Sequence, residues 1–191
     1  MNTILASSSP YRKQLLSRLN IPFTCISPDI DETPEPNEAP IFLAARLSRN
    51  KAAAIHASHP DSLIIASDQV AVRNDTILGK PGTEENAISQ LQQSSGQTVK
   101  FLTSLCLQIP DHEEPIVRVI PYQVKFRKLS EDEIIRYVKA DNPLNCAGSF
   151  KWEKLGISLF EKMEGSDPTA LEGLPLITLC ELLRENRREI P

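Results

Sequence analysis

Short apolar runs alternate with apolar residues at helical spacing through the first half of the chain. Ile4, Leu5 and Ala6 form a run of strand length, and Leu15, Leu16 and Leu19 then recur as they do on one helix face, so the pattern predicts a buried strand followed by a helix. A second strand fits residues 21–26. Residues 28–40 hold Asp29, Asp31, Glu32, Glu35 and Glu38 among Pro34 and Pro36, which predicts a solvated surface loop. Residues 41–56 return to helix, with Phe42, Ala45 and positions 47–54 giving a largely apolar side and Arg46, Arg49 and Lys51 elsewhere. His56 and His59 read as its polar end.

Residues 63–66 are the strongest strand signal, a run of the kind buried on both faces, ending in Ser67-Asp68-Gln69. Residues 70–72 and 76–78 flank Arg73-Asn74-Asp75 and predict a hairpin, closed by Gly79-Lys80-Pro81. Thr83 caps a helix over residues 83–93 with Glu84 and Glu85 in its first turn, where the helix dipole favours them. Residues 99–109 and 116–126 form an antiparallel pair with a polar tip at Pro110-Asp111-His112-Glu113-Glu114-Pro115. Ser130 and Glu133 make a capping box that opens a helix to Ala140, and Asp141-Asn142-Pro143 breaks it. After an irregular stretch over 145–154, residues 157–160 predict a last strand and 174–186 a closing helix. The sum is an α/β fold, a mixed and partly antiparallel sheet with helices on its faces and a cleft.

The chain of 191 residues is long enough for one compact domain, or for two lobes around a cleft. Its net charge of −4 argues against a nucleic-acid backbone as main partner, yet leaves room for a nucleotide in a local cationic pocket. Cys25, Cys106, Cys146 and Cys180 lie far apart, which fits reduced thiols in the cytoplasm and neither a zinc site nor a disulfide framework. No run approaches the roughly 18 apolar residues of a membrane span, and the start of the chain lacks a signal-peptide pattern.

Candidate chemistry begins in the serine loop. Ser9 can cap the first helix with Pro10 at its first position. The unpaired N–H groups of that turn, the hydroxyls of Ser7 and Ser8, and Arg12 and Lys13 would converge on one point suited to phosphate. An ordinary capped helix with a basic first turn is the plainer reading. A carboxylate at the end of a buried strand needs a partner, so Asp68 serves either as a cap for the next turn or as part of a site. Ligands in such sheets sit beyond strand ends, where the serine loop and Asp68 both fall. A phosphate there calls for carboxylates to hold a divalent ion and for cations, and Glu32, Asp68, Lys51, Lys80 and Arg12 meet that need. The chain has no P-loop pattern, and its three histidines suggest no Ser/His/Asp triad.

Ile4-Leu5-Ala6-Ser7-Ser8-Ser9-Pro10-Tyr11-Arg12, Asp31-Glu32, Arg49-Asn50-Lys51-Ala52, Ser67-Asp68-Gln69, Gly79-Lys80-Pro81, Cys146-Ala147-Gly148-Ser149 and Gly173-Leu174-Pro175 agree in type, order and spacing with one set of known motifs. In them the chain resembles the Maf family of nucleoside triphosphate pyrophosphatases from its first strand to its last helix. The resemblance implies a single domain over residues 1–191, with the fold of the inosine triphosphate pyrophosphatases, two lobes around a deep nucleotide cleft, and often a homodimer. It also implies a hydrolytic reaction in which water attacks the α-phosphorus of a nucleoside triphosphate and releases pyrophosphate. On that basis Asp68 matches the catalytic proton acceptor. Ser7, Arg12, Lys51 and Lys80 match phosphate contacts, and Glu32 with Asp68 would hold Mg²⁺ or Mn²⁺.

Many Maf proteins carry arginine at the position of Tyr11, threonine at Gln69 and glutamine near Glu153, and those members resemble dTTP/UTP pyrophosphatases. Tyr11, Gln69 and Glu153 instead resemble the YceF subgroup, for which the implied substrate is 7-methyl-GTP, although tryptophan is commoner there than Tyr11. Chemistry points the same way. Guanine offers two adjacent donors, N1–H and the 2-amino group, that one carboxylate can accept, and a base made cationic at N7 gains about 0.5–2 kcal/mol over an aromatic face. Trp152, beside Glu153, reads as a packing residue. Two alternatives stay open, a dTTP/UTP pyrophosphatase and a nucleotide-binding regulator of cell division without catalysis.

Overall fold

The computed structural model describes residues 2–110, 112–188 and 190. Asp111, in the tip expected at 110–115, lies outside the described residues. The chain folds as two compact units: one takes Met1–Gln69, Leu102–Ile120 and Asp167–Pro191, the other Val70–Phe101 and Pro121–Ser166.

In the first unit, β1 (Thr3–Ala6) pairs in parallel with β2 (Thr24–Ile26) and with β3 (Leu63–Arg73). Side chains alternate across the strands, and the two faces meet different helices. Ile4 and Ala6 of β1, Ile64 and Ala66 of β3 and Cys106 of β5 (Thr98–Gln108) pack with Ala52 and Ile55 of α2 (Pro40–His56). Leu5, Leu63, Ile65, Leu105 and Leu107 face the other way, onto Leu15 and Leu16 of α1 (Pro10–Ser17) and Leu179, Leu182 and Leu183 of α5 (Leu176–Glu185). Each large aliphatic side chain so removed from water contributes about 1.5–3 kcal/mol. Burial on both faces explains why β1 and the start of β3 read as continuous apolar runs.

β3 corrects the expectation of a strand that ends before Asp68. It continues unbroken to Arg73, because Ser67, Asp68 and Gln69 each find a polar partner and need not leave the sheet. The register sets Leu5 beside Ile65, so β1 stops level with Ala66, and Ser67, Asp68 and Gln69 run on past its end. The strand terminus at which a ligand is expected is therefore that of β1 alone, with Asp68 on the neighbouring strand that outruns it.

In the second unit β4 (Thr76–Leu78) pairs antiparallel with the end of β3 around Asn74 and Asp75, at φ 46° and 63°. Two left-handed residues are what a tight hairpin with the native twist requires. Thr83 caps α3 (Glu84–Ser94), and Ser130 and Glu133 complete the capping box of α4 (Glu131–Asp141), as expected. Phe101, Phe126, Phe150 and Phe160 meet edge to face, with ring centroids 4.8–5.7 Å apart, and build the aromatic core.

The expected strand at 157–160 is misplaced. Leu155–Leu159 is a short 3-10 turn, and the strand is β7 (Phe160–Gly165), antiparallel to β6 (Ile116–Phe126). Leu155 and Ile157 are exposed, so their apolar character does not mark a buried strand. β7 comes last in the hydrogen-bonded order of strands, and such an edge strand tolerates Glu161, Lys162 and Glu164. Among the described residues no helix is long and apolar enough to cross a membrane.

Candidate active site

The serine loop leaves β1 in a tight turn. Ser7 N–H donates to Leu5 O at 2.9 Å, and Ser9 N–H donates to Ser7 Oγ at 3.1 Å. Ser7 is buried, and with its oxygen accepting from Ser9 it keeps an O–H to donate elsewhere. Ser9 caps α1, its hydroxyl oxygen accepting from Arg12 N at 3.4 Å, with Pro10 in the first turn. Ser9 Oγ is thus spent on the helix, whereas Ser7 Oγ is not. Tyr11 and Arg12 are half-buried on the first turn of α1, whereas Lys13 is exposed.

Arg12 reaches back across the fold, and its Nε–H donates to Gly173 O at 2.9 Å. One of five guanidinium donors is spent on that bond. Burial lowers its pKa, while the fields of Asp68 and Glu32 act to raise it.

Lys51 of α2 and Asp68 of β3 form the centre. Lys51 Nζ donates to Asp68 Oδ1 at 2.6 Å and lies 2.7 Å from Glu32 Oε1. Lys51 and Asp68 are only 7 % and 6 % exposed, which makes their pairing obligatory. Burial raises the Asp68 carboxyl above the ordinary carboxylate range, against the pull of Lys51 and Arg12. A buried carboxylate with a raised pKa beside fixed cations is a proton acceptor in character. Arg12, Glu32, Lys51 and Asp68 are thus drawn together electrostatically, two anions against two cations.

Glu32 is carried there by an anchored loop. Arg46 grips Glu38 with two bonds of 2.7 Å, and its Nη2 also donates to Thr33 O at 3.0 Å. The acidic stretch expected to be merely solvated is therefore pinned to α2. Arg46 carries no mark in the sequence to set it apart from Arg49. Gly173 likewise has no role that sequence reasoning could assign, although its carbonyl accepts from both Arg12 and Ser67.

Gln69, next to Asp68, is held by its amide NH₂, which donates to Thr103 Oγ1 at 3.0 Å, Ala170 O at 2.7 Å and Leu171 O at 3.3 Å. Its carbonyl oxygen is thereby given a fixed direction. Lys80 and Glu153 belong to the second unit and are exposed there, Lys80 just after β4 and Glu153 in the turn after Trp152. Trp152 is half-buried in the same turn.

The donor set suits a hard divalent cation. Carboxylate oxygens of Glu32 and Asp68 already converge on one positive charge, the Lys51 ammonium, so both reach a common point. Among the described residues no group of three or more His, Cys, Asp or Glu gathers as a closed metal cage. Two carboxylates, with phosphate and water oxygens as the remaining ligands, are the usual arrangement for Mg²⁺.

This fold is found in solved structures of the Ham1 type. The Staphylococcus aureus Ham1 protein aligns with a TM-score of 0.55 at 15 % identity, over 98 % of this chain and all of that one. A HAM1 protein from Coxiella burnetii aligns at 0.54 and 15 %, over 97 % of this chain and 99 % of its own. Within that fold class the chain belongs to the Maf-like protein family, whose pattern it matches over residues 2–186. It is 53 % identical over 188 residues to the 7-methyl-GTP pyrophosphatase of Pseudomonas aeruginosa, covering 98 % of both chains. It is 53 % identical over 182 residues to that of Nitrosococcus oceani, covering 95 % of this chain and 92 % of the relative. The family and fold expected from the motifs are thus borne out.

Proposed function

We propose that this chain, a nucleotide pyrophosphatase of the Maf-like family, hydrolyses 7-methyl-GTP to 7-methyl-GMP and pyrophosphate and so keeps a modified nucleotide out of nucleic acids. The observation that carries the reading is the buried Asp68 held between Lys51 and the field of Arg12. Relatives named for 7-methyl-GTP are 52–53 % identical to this chain over 182–188 residues, which supports the choice of substrate.

In this reading Asp68 accepts the proton of the water that attacks the α-phosphorus. Ser7 donates its O–H to a phosphate oxygen, and Arg12, Lys51 and Lys80 offset the charge that builds on the departing pyrophosphate. Glu32 and Asp68 would hold Mg²⁺ or Mn²⁺, which lowers the pKa of a bound water and neutralises phosphate charge. Tyr11 offers its ring to the cationic base, Glu153 accepts from the two guanine donors, and Gln69 contributes to base choice from its fixed position beside Asp68.

Pyrophosphate release measured over a nucleotide panel with Mg²⁺ or Mn²⁺ tests the reading, with 7-methyl-GTP expected to give the highest kcat/KM. Asp68→Asn should lower kcat by at least about 10²-fold, the usual contribution of a general base. Undiminished turnover in that variant would remove Asp68 from the chemistry. A preference for dTTP or UTP would move the substrate to the other branch of the family.

A further inference from the structure

Gly173-Leu174-Pro175 and the 3-10 turn before it, Pro168–Glu172, take no part in the reaction described above. Their main-chain carbonyls nevertheless receive the side chains that surround Asp68. Gly173 O accepts from Arg12 Nε at 2.9 Å and from Ser67 Oγ at 2.7 Å, which uses both of its lone pairs. Ala170 O accepts from Gln69 Nε2 at 2.7 Å and from Thr103 Oγ1 at 2.9 Å. The residues on either side of Asp68, and the arginine whose field it feels, are all tied to one short stretch of backbone.

That stretch is itself locked. Asp167 is fully buried, and its Oδ1 accepts from Thr169 N at 3.0 Å and Thr169 Oγ1 at 2.6 Å. Its Oδ2 accepts from Ile177 N at 2.7 Å, while Thr169 Oγ1 accepts from Leu176 N at 2.8 Å. Satisfying the first turn of α5 accounts for Asp167 and Thr169, but it does not require carbonyls aimed at Arg12, Ser67 and Gln69. Gly173 has φ 97°, a left-handed conformation, and a Cβ built there would stand 3.2 Å from Arg12 Nε. Glycine is needed for the backbone and again for the room the guanidinium takes.

We propose that residues 167–175 are the positioning element of the pyrophosphatase site, and that Gly173 acts on the reaction through Arg12 by fixing the direction of its guanidinium. This rests on the functional reading given above. Arg12 spends Nε–H on the carbonyl and so presents its terminal nitrogens in one orientation, as recognition of phosphate by a planar fork demands.

A double-mutant cycle on kcat/KM for 7-methyl-GTP tests it. Gly173→Ala should lower kcat/KM by about 10- to 100-fold, the size of effect produced by misplacing a reacting group by an ångström or so. In an Arg12→Lys background, which keeps the charge but lacks Nε–H, the same substitution should change kcat/KM by no more than about twofold. Equal losses in both backgrounds would overturn the proposal, since they would mean that Gly173 acts by a route other than Arg12, through Ser67 or through folding. Alanine strains a left-handed position, so Thr169→Val provides a second arm with the same expected non-additivity, and Thr169→Ser should restore activity. A Thr169→Val loss that is the same with arginine or lysine at position 12 counts against the proposal in the same way. Wild-type protein that releases no pyrophosphate from any nucleotide would overturn the functional reading itself, a result distinct from an additive cycle in an active enzyme.

Discussion

Asp68 is 6 % exposed on a strand of the central sheet, a place where a carboxylate is costly unless its neighbours compensate. Lys51 and Arg12 do so only in part, because burial still holds the carboxyl above its ordinary range. Glu153 is the contrasting case, a carboxylate left exposed. Its value in the proposed site lies in accepting two adjacent donors, which a neutral amide at the same place cannot match. Glu153→Gln should therefore reduce the ratio of kcat/KM for 7-methyl-GTP over UTP by about 10- to 100-fold, the worth of hydrogen bonds to a charged acceptor. Parallel kinetics on the two nucleotides would decide it, and an unchanged ratio would take base selection away from Glu153. At this scale the sequence is legible where partners are local: Ser9 and Pro10 sit beside the helix they cap. Lys51 and Asp68, 17 positions apart, are drawn to one site by the motifs but their direct bond is not, and the contact of Arg12 with Gly173, 161 positions apart, emerges only from the fold.

Among the elements, the acidic loop is the one whose behaviour composition misjudges. Proline and charge rightly exclude regular structure, but not anchoring: Arg46 holds Glu38 in a two-bond grip and brings the Glu38 carboxyl down to about 2 from 4.5. A depressed folded pKa contributes stability above the unfolded value and loses it as pH falls through the folded one. Arg46→Ala should therefore be less stable than wild type in urea at pH 7, and the gap should narrow as pH drops below 4.5 towards 2. A gap independent of pH would show that Arg46 stabilises by packing rather than by its charge. β3 and β7 carry the complementary lesson. Polar residues do not end β3, since Ser67, Asp68 and Gln69 are satisfied within the fold, and polar β7 escapes a search for apolar runs because an edge strand needs no apolar face.

For the molecule as a whole, alternation of short apolar runs with amphipathic helices makes the α/β class legible, since β1 and β3 meet helices on both faces. The division into units is not legible, because each is assembled from separate stretches of chain and no linker composition marks where one gives way to the other. Separated motifs of modest individual weight identify the family, and the match over residues 2–186 agrees with their spread.

The ammonium of Lys51 between Glu32 and Asp68 has a consequence for how the protein is made. Two neighbouring carboxylates ordinarily repel, and many metal sites are folded only once the ion arrives. Here the chain brings its own counter-cation, so folding should not depend on the divalent ion that Glu32 and Asp68 would hold in the proposed reaction. Excess EDTA should then abolish pyrophosphate release while shifting Tm by less than about 2 °C, below the change that a loss of about 1 kcal/mol causes in a chain of this size. Calorimetry with and without chelator would measure this, and a large fall in Tm would mean that folding, too, depends on the ion.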